Sequence, residues 1–142
     1  MAWPRTPSRW LLLTIALFLA VGAIPVGLGF VVRPDGSLIG MPRSVLASTP
    51  FTDFLVPGLL LAVAVGGSTL AAVVLVARGA RWASLVSLAA GAVVVGWIAV
   101  QVWLIGFVSA LQPLVCGLGL AMIALAARST RGVRSGLHQR DG

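Results

Sequence analysis

The chain has 142 residues, of which 59% are apolar and 9% are charged. Its formal net charge is +7 and its mean hydropathy is +1.08. A soluble domain carries about a quarter charged residues and slightly under half apolar ones. So few charged side chains cannot cover a globule in water, and intrinsic disorder is excluded because it requires low hydrophobicity. The composition therefore predicts an integral membrane protein of one domain.

Four apolar runs are each close to the roughly 20 residues that a helix needs to cross a bilayer. Residues 83–127 hold no charged side chain and would form one helix of about 68 Å, which is twice the hydrocarbon thickness, so they must fold back as a hairpin. Gly106 to Ser109 suits the turn, and Pro113 then falls in the first turn of the last helix. The sequence predicts an all-α fold, a polytopic membrane four-helix bundle, with helices at 11–32, 54–77, 83–105 and 110–127.

The segments outside these helices are a tail at 1–10, a loop at 33–53 and a basic tail at 129–142 that we expect to be disordered. In the loop, the run from Arg33 to Gly36 suits a type I turn, and the run from Pro42 to Ala47 predicts a short interfacial helix. Thr49 is a candidate cap for the second spanning helix, with Pro50 at its first position.

The arginines predict the orientation of the bundle. The loop at 33–53 holds Arg33 and Arg43, which Asp35 and Asp53 offset, and the connection between the third and fourth helices holds no charge. Because cytoplasmic segments are enriched in Arg and Lys, the pattern predicts that the N and C termini are both cytoplasmic. The other eight arginines lie in the two tails and the turn at 78–81: Arg5, Arg9, Arg78, Arg81, Arg128, Arg131, Arg134 and Arg140.

A cleavable signal peptide is an alternative for the N-terminus, since Arg5 and Arg9 precede an apolar run. That run continues to Val32, which is longer than the usual 7–15-residue core of a signal peptide. We therefore expect an uncleaved membrane anchor.

The residue inventory argues against an enzyme. Cys116 is the only cysteine and His138 the only histidine, so the chain has no disulfide pair, haem ligand pair or metal cage. No spanning segment supplies a general base for hydrolysis. The segment 11–32 also lacks the acidic residue on which small proton-coupled exporters depend. We expect a non-enzymatic protein with no cofactor, no catalytic residue and no metal site.

Small residues recur at a spacing of three or four on three of the predicted helices. Such spacing lets helix backbones approach closely in lipid, either within the bundle or between this chain and a partner. Both interpretations stay open. The residues concerned are Gly58, Ala62 and Gly66 on the second helix, Ser84, Ser87 and Gly91 on the third, and Gly117 and Ala121 on the fourth.

Polar residues gather at one depth. Counted along their helices, Gln101, Gln112 and Asp53 lie in the outer third of the bilayer, as do three prolines, Pro25, Pro57 and Pro113. Trp97 lies one turn before Gln101 and is expected to pack with it. One interpretation is an outward-facing polar vestibule roofed by the 33–53 loop, in which Arg43 also takes part. The other is the ordinary polarity of helix ends, with Asp53 either a favourable charge at a helix N-terminus or the ion-pair partner of Arg43.

Several short motifs resemble those of a group of small four-helix bacterial integral membrane proteins whose activity is uncharacterised. The resemblance implies a bacterial inner membrane and the four-helix fold, but no activity. The arginine-only, Ala- and Val-rich composition is typical of a high-GC bacterium. The motifs are Pro34-Asp35-Gly36-Ser37, Met41-Pro42, Thr49-Pro50-Phe51, Asp53 with Pro57-Gly58, Trp97, Gln101 and Leu111-Gln112-Pro113.

The function that these features favour is that of an accessory or structural subunit. Its partners would be the lipid bilayer, a second copy of itself or a larger membrane complex, with anionic lipid at the cytoplasmic arginines. Nucleic acid is not expected, because the arginines lie at the ends of apolar runs. The alternative is a small transporter, channel or lipid-binding module that uses the outer vestibule.

Overall fold

The computed structural model describes residues 7–107 and 109–138, and for residues 130–138 it describes the backbone alone. Four long helices account for most of these residues. No strand occurs among them, so the predicted all-α class is confirmed. Helix α1 is Pro7–Val32, α2 is Leu55–Ala77, α3 is Ala83–Ile105 and α4 is Leu111–His138, and a short 3-10 helix, Arg43–Leu46, lies between α1 and α2.

Each of the four helices is long and apolar enough to cross a membrane. The most apolar are Pro7–Val32 and Leu55–Ala77, with a mean hydropathy of 2.5 over their best windows. The least apolar is Leu111–Ser129, with a value of 1.6 over 19 residues. Even this stretch is about 28 Å long as a helix, close to the thickness of the hydrocarbon core. By length and composition, the chain is a multi-pass membrane protein.

Successive helices run antiparallel and pack against each other. Between α1 and α2, Gly27 lies against Ala62, whereas Ile24, nearer the start of α1, lies against the later residue Gly66. Between α3 and α4, the Ser84 hydroxyl lies 3.3 Å from that of Ser129. Helix α2 also packs on α3, and α1 on α4, so the four helices close into a ring.

The bundle therefore has two distinct ends. The loop end carries the connection 33–54 and the turn 106–110. The arginine end comprises the start of α1, the turn 78–82 and residues 126–129 of α4.

Small side chains and close-fitting aliphatic ones fill the interior. Leu12 and Met122 are fully buried, as are Val76 and Val94, and alanines fill the gaps between them. The buried polar residues among the described side chains are Thr69, Ser87 and Gln112. Thr69 donates to the Val65 carbonyl at 2.7 Å, so its hydroxyl is satisfied within its own helix. The inner faces of the helices form one continuous apolar core.

The middle of α2 has wider, π-type turns over Leu61–Gly67. Two hydroxyls hydrogen-bond to backbone carbonyls here. Ser68 donates to Val65, and Thr69 donates to both Val65 and Gly66. Hydroxyls bonded back onto the preceding turn bend a helix, and these two lie where the wider turns end.

Two helix ends differ from the sequence-based prediction. Helix α1 is already helical from Pro7, so residues 7–10 belong to it and not to the predicted tail. Helix α4 continues to His138, over residues that we expected to be disordered. Once a helix is nucleated, each added residue contributes one backbone hydrogen bond, and no proline interrupts the chain here. Trp3, Arg5, Arg140 and the side chains of Arg131 and Arg134 lie outside the described residues.

The start of α2 also differs. Thr49 does not cap this helix, which begins five residues beyond Pro50. The Thr49 hydroxyl instead donates to the Leu46 carbonyl at 2.8 Å and accepts from the Phe51 amide at 3.2 Å. It thereby closes the 3-10 turn that follows Pro42, where a short helix was predicted.

Candidate functional site

The connection between α1 and α2 is an ordered cap with its own apolar cluster. Phe30, Leu46 and Phe54 are buried together, and Met41, Val45 and Phe51 pack around them. The rings of Phe30 and Phe54 stack at 4.7 Å between centroids with an interplanar angle of 19°. The loop is apolar because it packs on the ends of α1 and α2.

The turn at Gly36 holds this loop closed. The Gly36 amide donates to the Arg33 carbonyl at 3.0 Å, as expected for the predicted turn, and the Met41 amide donates to the Gly36 carbonyl at 2.9 Å. Gly36 has φ of +81°, and a Cβ there would collide with the Met41 carbonyl and the Phe54 ring. Only glycine therefore fits at this position.

Asp35 is a loop carboxylate whose pKa is affected by the loop arginines. Its Oδ1 accepts from the Ser37 amide at 3.0 Å. Hydrogen bonds from the backbone and side chain of Ser37, reinforced by the positive charges of Arg43 and then Arg33, hold the pKa of Asp35 below its ordinary value. Within this loop, Asp35 is thus an aspartate on which the charge of Arg43 acts.

Asp53 lies at the N-terminus of α2. Its Oδ1 accepts from the Leu55 amide at 3.0 Å, so it satisfies one of the free amides at that helix end. A negative charge is also favourable at that position because of the helix dipole. No ion pair joins Asp53 to Arg43, both of which lie within the described residues. Of the two roles considered for Asp53, the geometry supports the helix-terminal one.

Gln112 joins the end of α3 to the start of α4. It is 4% exposed. Its Nε2 donates to the Gly106 carbonyl at 3.3 Å, and its Oε1 accepts from the Ser109 amide at 3.4 Å. The Ser109 hydroxyl in turn accepts from the Leu111 amide at 3.1 Å. This arrangement is a variant of the capping box, in which the Ser109 hydroxyl bonds the Leu111 amide in place of the Gln112 amide. The sequence signals it as Ser-x-x-Gln at 109–112, a pattern not among the predictions.

The loop and the hairpin are tied to each other. The Ser48 hydroxyl donates to the Leu104 carbonyl at 2.9 Å, where the last turn of α3 has carbonyls without helical partners. The contact places the 33–54 connection beside the end of α3, on the side where a roof was predicted.

The remaining two vestibule candidates lie one turn apart on α3. Trp97 is half-buried and packs against the main core. Gln101 is half-buried, and its side chain makes no hydrogen bond with a described residue. The polar groups at the loop end are therefore mostly engaged locally, in a helix N-terminus, a turn and a capping box. No hydrogen bond among the described residues links Asp53, Gln101 and Gln112 to one another.

The predicted small residues on α2 and α3 lie at helix crossings. A Cβ on Gly58 would lie 2.6 Å from the Phe30 Cβ, and one on Gly91 would lie 2.8 Å from the Gly119 carbonyl oxygen. Gly66 is equally close to Ile24, Ala62 faces Gly27, and Ser87 is fully buried. Ala121 is half-buried at the edge of the core, and Ser84 reaches Ser129.

Gly117 differs from this group. It is exposed, and a Cβ there would meet no atom within 4 Å. The close approach on α4 is made by Gly119, where a Cβ would lie 2.9 Å from Val94 Cγ1. Gly117 thus plays no part in packing within the bundle. Gly27 also lies at a helix crossing and was not among the predicted residues, although Ala23-x-x-x-Gly27 has the small-residue spacing.

The arginine end concentrates positive charge. The Arg9 Nη2 donates to the Ala77 carbonyl at 2.9 Å, so a cation on α1 caps the C-terminus of α2. The Arg81 guanidinium lies 5.0 Å from the centre of the Trp82 ring. Arg78 and Arg128 are exposed nearby.

No group of three or more His, Cys, Asp or Glu side chains comes together among the described residues in a way that could hold a metal ion. Cys116 is half-buried on α4 and unpaired. The candidate site thus offers hydrogen-bonding and charged groups at the two ends of an apolar bundle. No protein-family model matches the chain, and no curated protein or solved structure is significantly similar to it.

Proposed function

We propose that this protein is a non-enzymatic, accessory or structural subunit of the bacterial inner membrane, with both termini cytoplasmic, that associates with a second copy or a larger membrane complex. Four membrane-length helices and a filled apolar interior support a structural role. The polar groups at the loop end support it too, because they stabilise helix ends and turns. The association would use a face that the bundle leaves free.

The outer face of α3 is the observation that carries this proposal. Ala89, Ala92, Gly96 and Ala99 are exposed and recur at spacings of three and four. A Cβ on Gly96 would meet no atom within 4 Å. The predicted glycine on the other face of the same helix, Gly91, is already used against α4. Helix α3 therefore has a second small-residue face, of the kind that brings transmembrane helices together.

The test measures the mass of the purified chain in mild detergent or nanodiscs, together with any protein that co-purifies with it. Gly96→Leu should block close approach and weaken association by about 1–3 kcal/mol, as overpacking does elsewhere. Gly22→Leu is the matched control, because Gly22 is also exposed with open space around it, on α1. A wild-type chain that is monomeric and alone in both media would contradict the proposal. Dissociation by Gly22→Leu but not by Gly96→Leu would contradict the choice of face.

The alternative, a small transporter or channel with an outer vestibule, receives less support. Transport requires a hydrated or polar path through the bundle, and the arginine-end half of the interior is filled by Leu12, Val76 and Met122, all fully buried. The fully buried polar residue nearest that end is Ser87. Among the two predicted vestibule amides, Gln101 is the one whose side chain makes no hydrogen bond with a described residue, and it lies near the opposite end.

A further inference from the structure

We infer that the arginine end of the bundle holds the phosphodiester headgroup of an anionic phospholipid, between the start of α1 and the end of α2, with Arg9 and Arg78 as its ligands. This site is independent of the association face on α3 and of which leaflet faces the arginine end.

Arg9 is the centre of the site. It is half-buried, and its Nη2 binds the Ala77 carbonyl, the residue immediately before Arg78. Its Nε is buried without a hydrogen-bond partner, and its Nη1 makes no hydrogen bond with a described residue. A guanidinium has five N–H donors in a planar fork, and phosphate oxygens match that fork. Arg9 therefore keeps unused N–H donors within the described chain, and those of its terminal nitrogens can bind an external group, whereas Nε is buried.

The positive charges around Arg9 favour the binding of an anion. Arg9 and Arg78 both lie beside the C-terminus of α2, and Arg81 follows in the same turn. The two acidic residues of the described chain, Asp35 and Asp53, lie at the loop end. The arginine end thus has positive charges and no described carboxylate to compensate them. An anion between Arg9 and Arg78 would compensate both positive charges.

The surroundings favour a lipid over a soluble anion. Trp10 and Trp82 are 63% and 54% exposed, and amphipathic indole rings concentrate at the level of lipid headgroups. Val74, which is also exposed, lies one turn before Arg78 on the same face of α2. A phosphate held by Arg78 would therefore have apolar helix surface beside it, where acyl chains can lie. A free phosphate would gain nothing from that surface.

The experiment measures lipid retained by the purified full-length chain, using native mass spectrometry with phosphatidylglycerol, phosphatidylcholine or inorganic phosphate added. The wild type should retain phosphatidylglycerol over phosphatidylcholine, and millimolar inorganic phosphate should not displace it. Arg9→Gln and Arg78→Gln should each weaken phosphatidylglycerol binding about fivefold. Arg43→Gln removes the same charge at the loop end and should leave binding unchanged.

Three results would overturn the site. Equal retention of the two lipids would remove the headgroup selectivity. An equal loss in Arg43→Gln would reduce the effect to net charge. Displacement by inorganic phosphate would reassign the arginines to a soluble anion. If Arg9→Gln does not fold, because the cap on Ala77 is lost, Arg78→Gln still decides the question, since the Arg78 side chain is exposed.

Discussion

The Cβ that Gly27 lacks would lie 2.6 Å from the backbone nitrogen of Ala62 and 2.7 Å from the Gly58 carbonyl oxygen. Real Cβ atoms do not approach backbone atoms so closely, so the separation of α1 and α2 is set by the absence of a side chain at residue 27. The same crossing continues at Gly58 against Phe30 and at Gly66 against Ile24. This is the contact on which the first half of the bundle is built.

Replacing Gly27 with alanine should therefore force α1 and α2 apart. We expect Gly27→Ala to lower the free energy of unfolding by about 1–3 kcal/mol, the usual cost of overpacking, despite the higher helix propensity of alanine. Gly22→Ala, on the exposed side of α1, should retain or gain up to about 1 kcal/mol. Unfolding of both variants in detergent, followed by circular dichroism, makes the comparison. Equal stability of the two would mean that the helices do not approach as closely as described.

Gly36 and Gly40 form a second matched pair. Both have positive φ, +81° and +77°, but only Gly36 is crowded, whereas a Cβ on Gly40 would meet no atom within 4 Å. Gly40→Ala should cost only the backbone strain, about 1–2 kcal/mol. Gly36→Ala should cost more, because the Phe54 ring must also move out of the apolar cluster. Protease cleavage within residues 33–53 should therefore be faster in Gly36→Ala, and equal rates would contradict the described turn.

Replacing Gln112 or Gln101 compares a side-chain amide that stabilises a helix end with one that makes no described hydrogen bond. Gln112→Leu removes a helix cap and leaves the Gly106 carbonyl and Ser109 amide without this partner, so we expect a loss of about 0.5–2 kcal/mol. Gln101→Leu breaks no described hydrogen bond and should change stability by less than about 0.5 kcal/mol. Thermal unfolding in one detergent provides the measurement. A larger loss of stability in Gln101→Leu would indicate a polar partner for that residue and would support the vestibule.

The pKa of Asp35 makes the loop sensitive to acid. Because the folded-state pKa is lowered by Ser37 and then by Arg43 and Arg33, the stabilising contribution of Asp35 is complete above its ordinary pKa of 3.8. It is lost as the pH falls through the lowered folded value. Carboxyl-resolved NMR titration in micelles should place Asp35 below the ordinary aspartate range, and Arg43→Gln should move it upward. No change in Arg43→Gln would mean that the two charges do not interact.

The charge asymmetry of the two ends predicts the orientation in the membrane. The loop end carries Arg33 and Arg43 with two aspartates, and the arginine end carries Arg9 and three further described arginines without a described acid. Under the positive-inside rule, an alkaline phosphatase fused after Gly40 should be active and one fused after Ala80 silent. The reverse pattern of activity would overturn the orientation.

The sequence by itself determined the fold class and the approximate bounds of the helices, because a membrane span is identified by its length and apolar composition. It also located the turn at Gly106, since an uncharged run of that length has to fold back. Depth along a helix also follows from the number of residues, and this count alone placed Asp53, Gln101 and Gln112 at similar heights.

Only the tertiary structure decided which way each residue faces and what it contacts. Gln112 turns back into its own hairpin, and Asp53 binds the amide that begins α2, so equal depth did not predict their hydrogen-bond partners. Gly91 and Gly96 lie five residues apart on α3, yet the first packs against α4 and the second is exposed. The physical reason is that helix rotation is set by the packing of neighbours. When nearly every residue is apolar, as in a bundle surrounded by lipid, hydrophobic periodicity no longer marks the inner face.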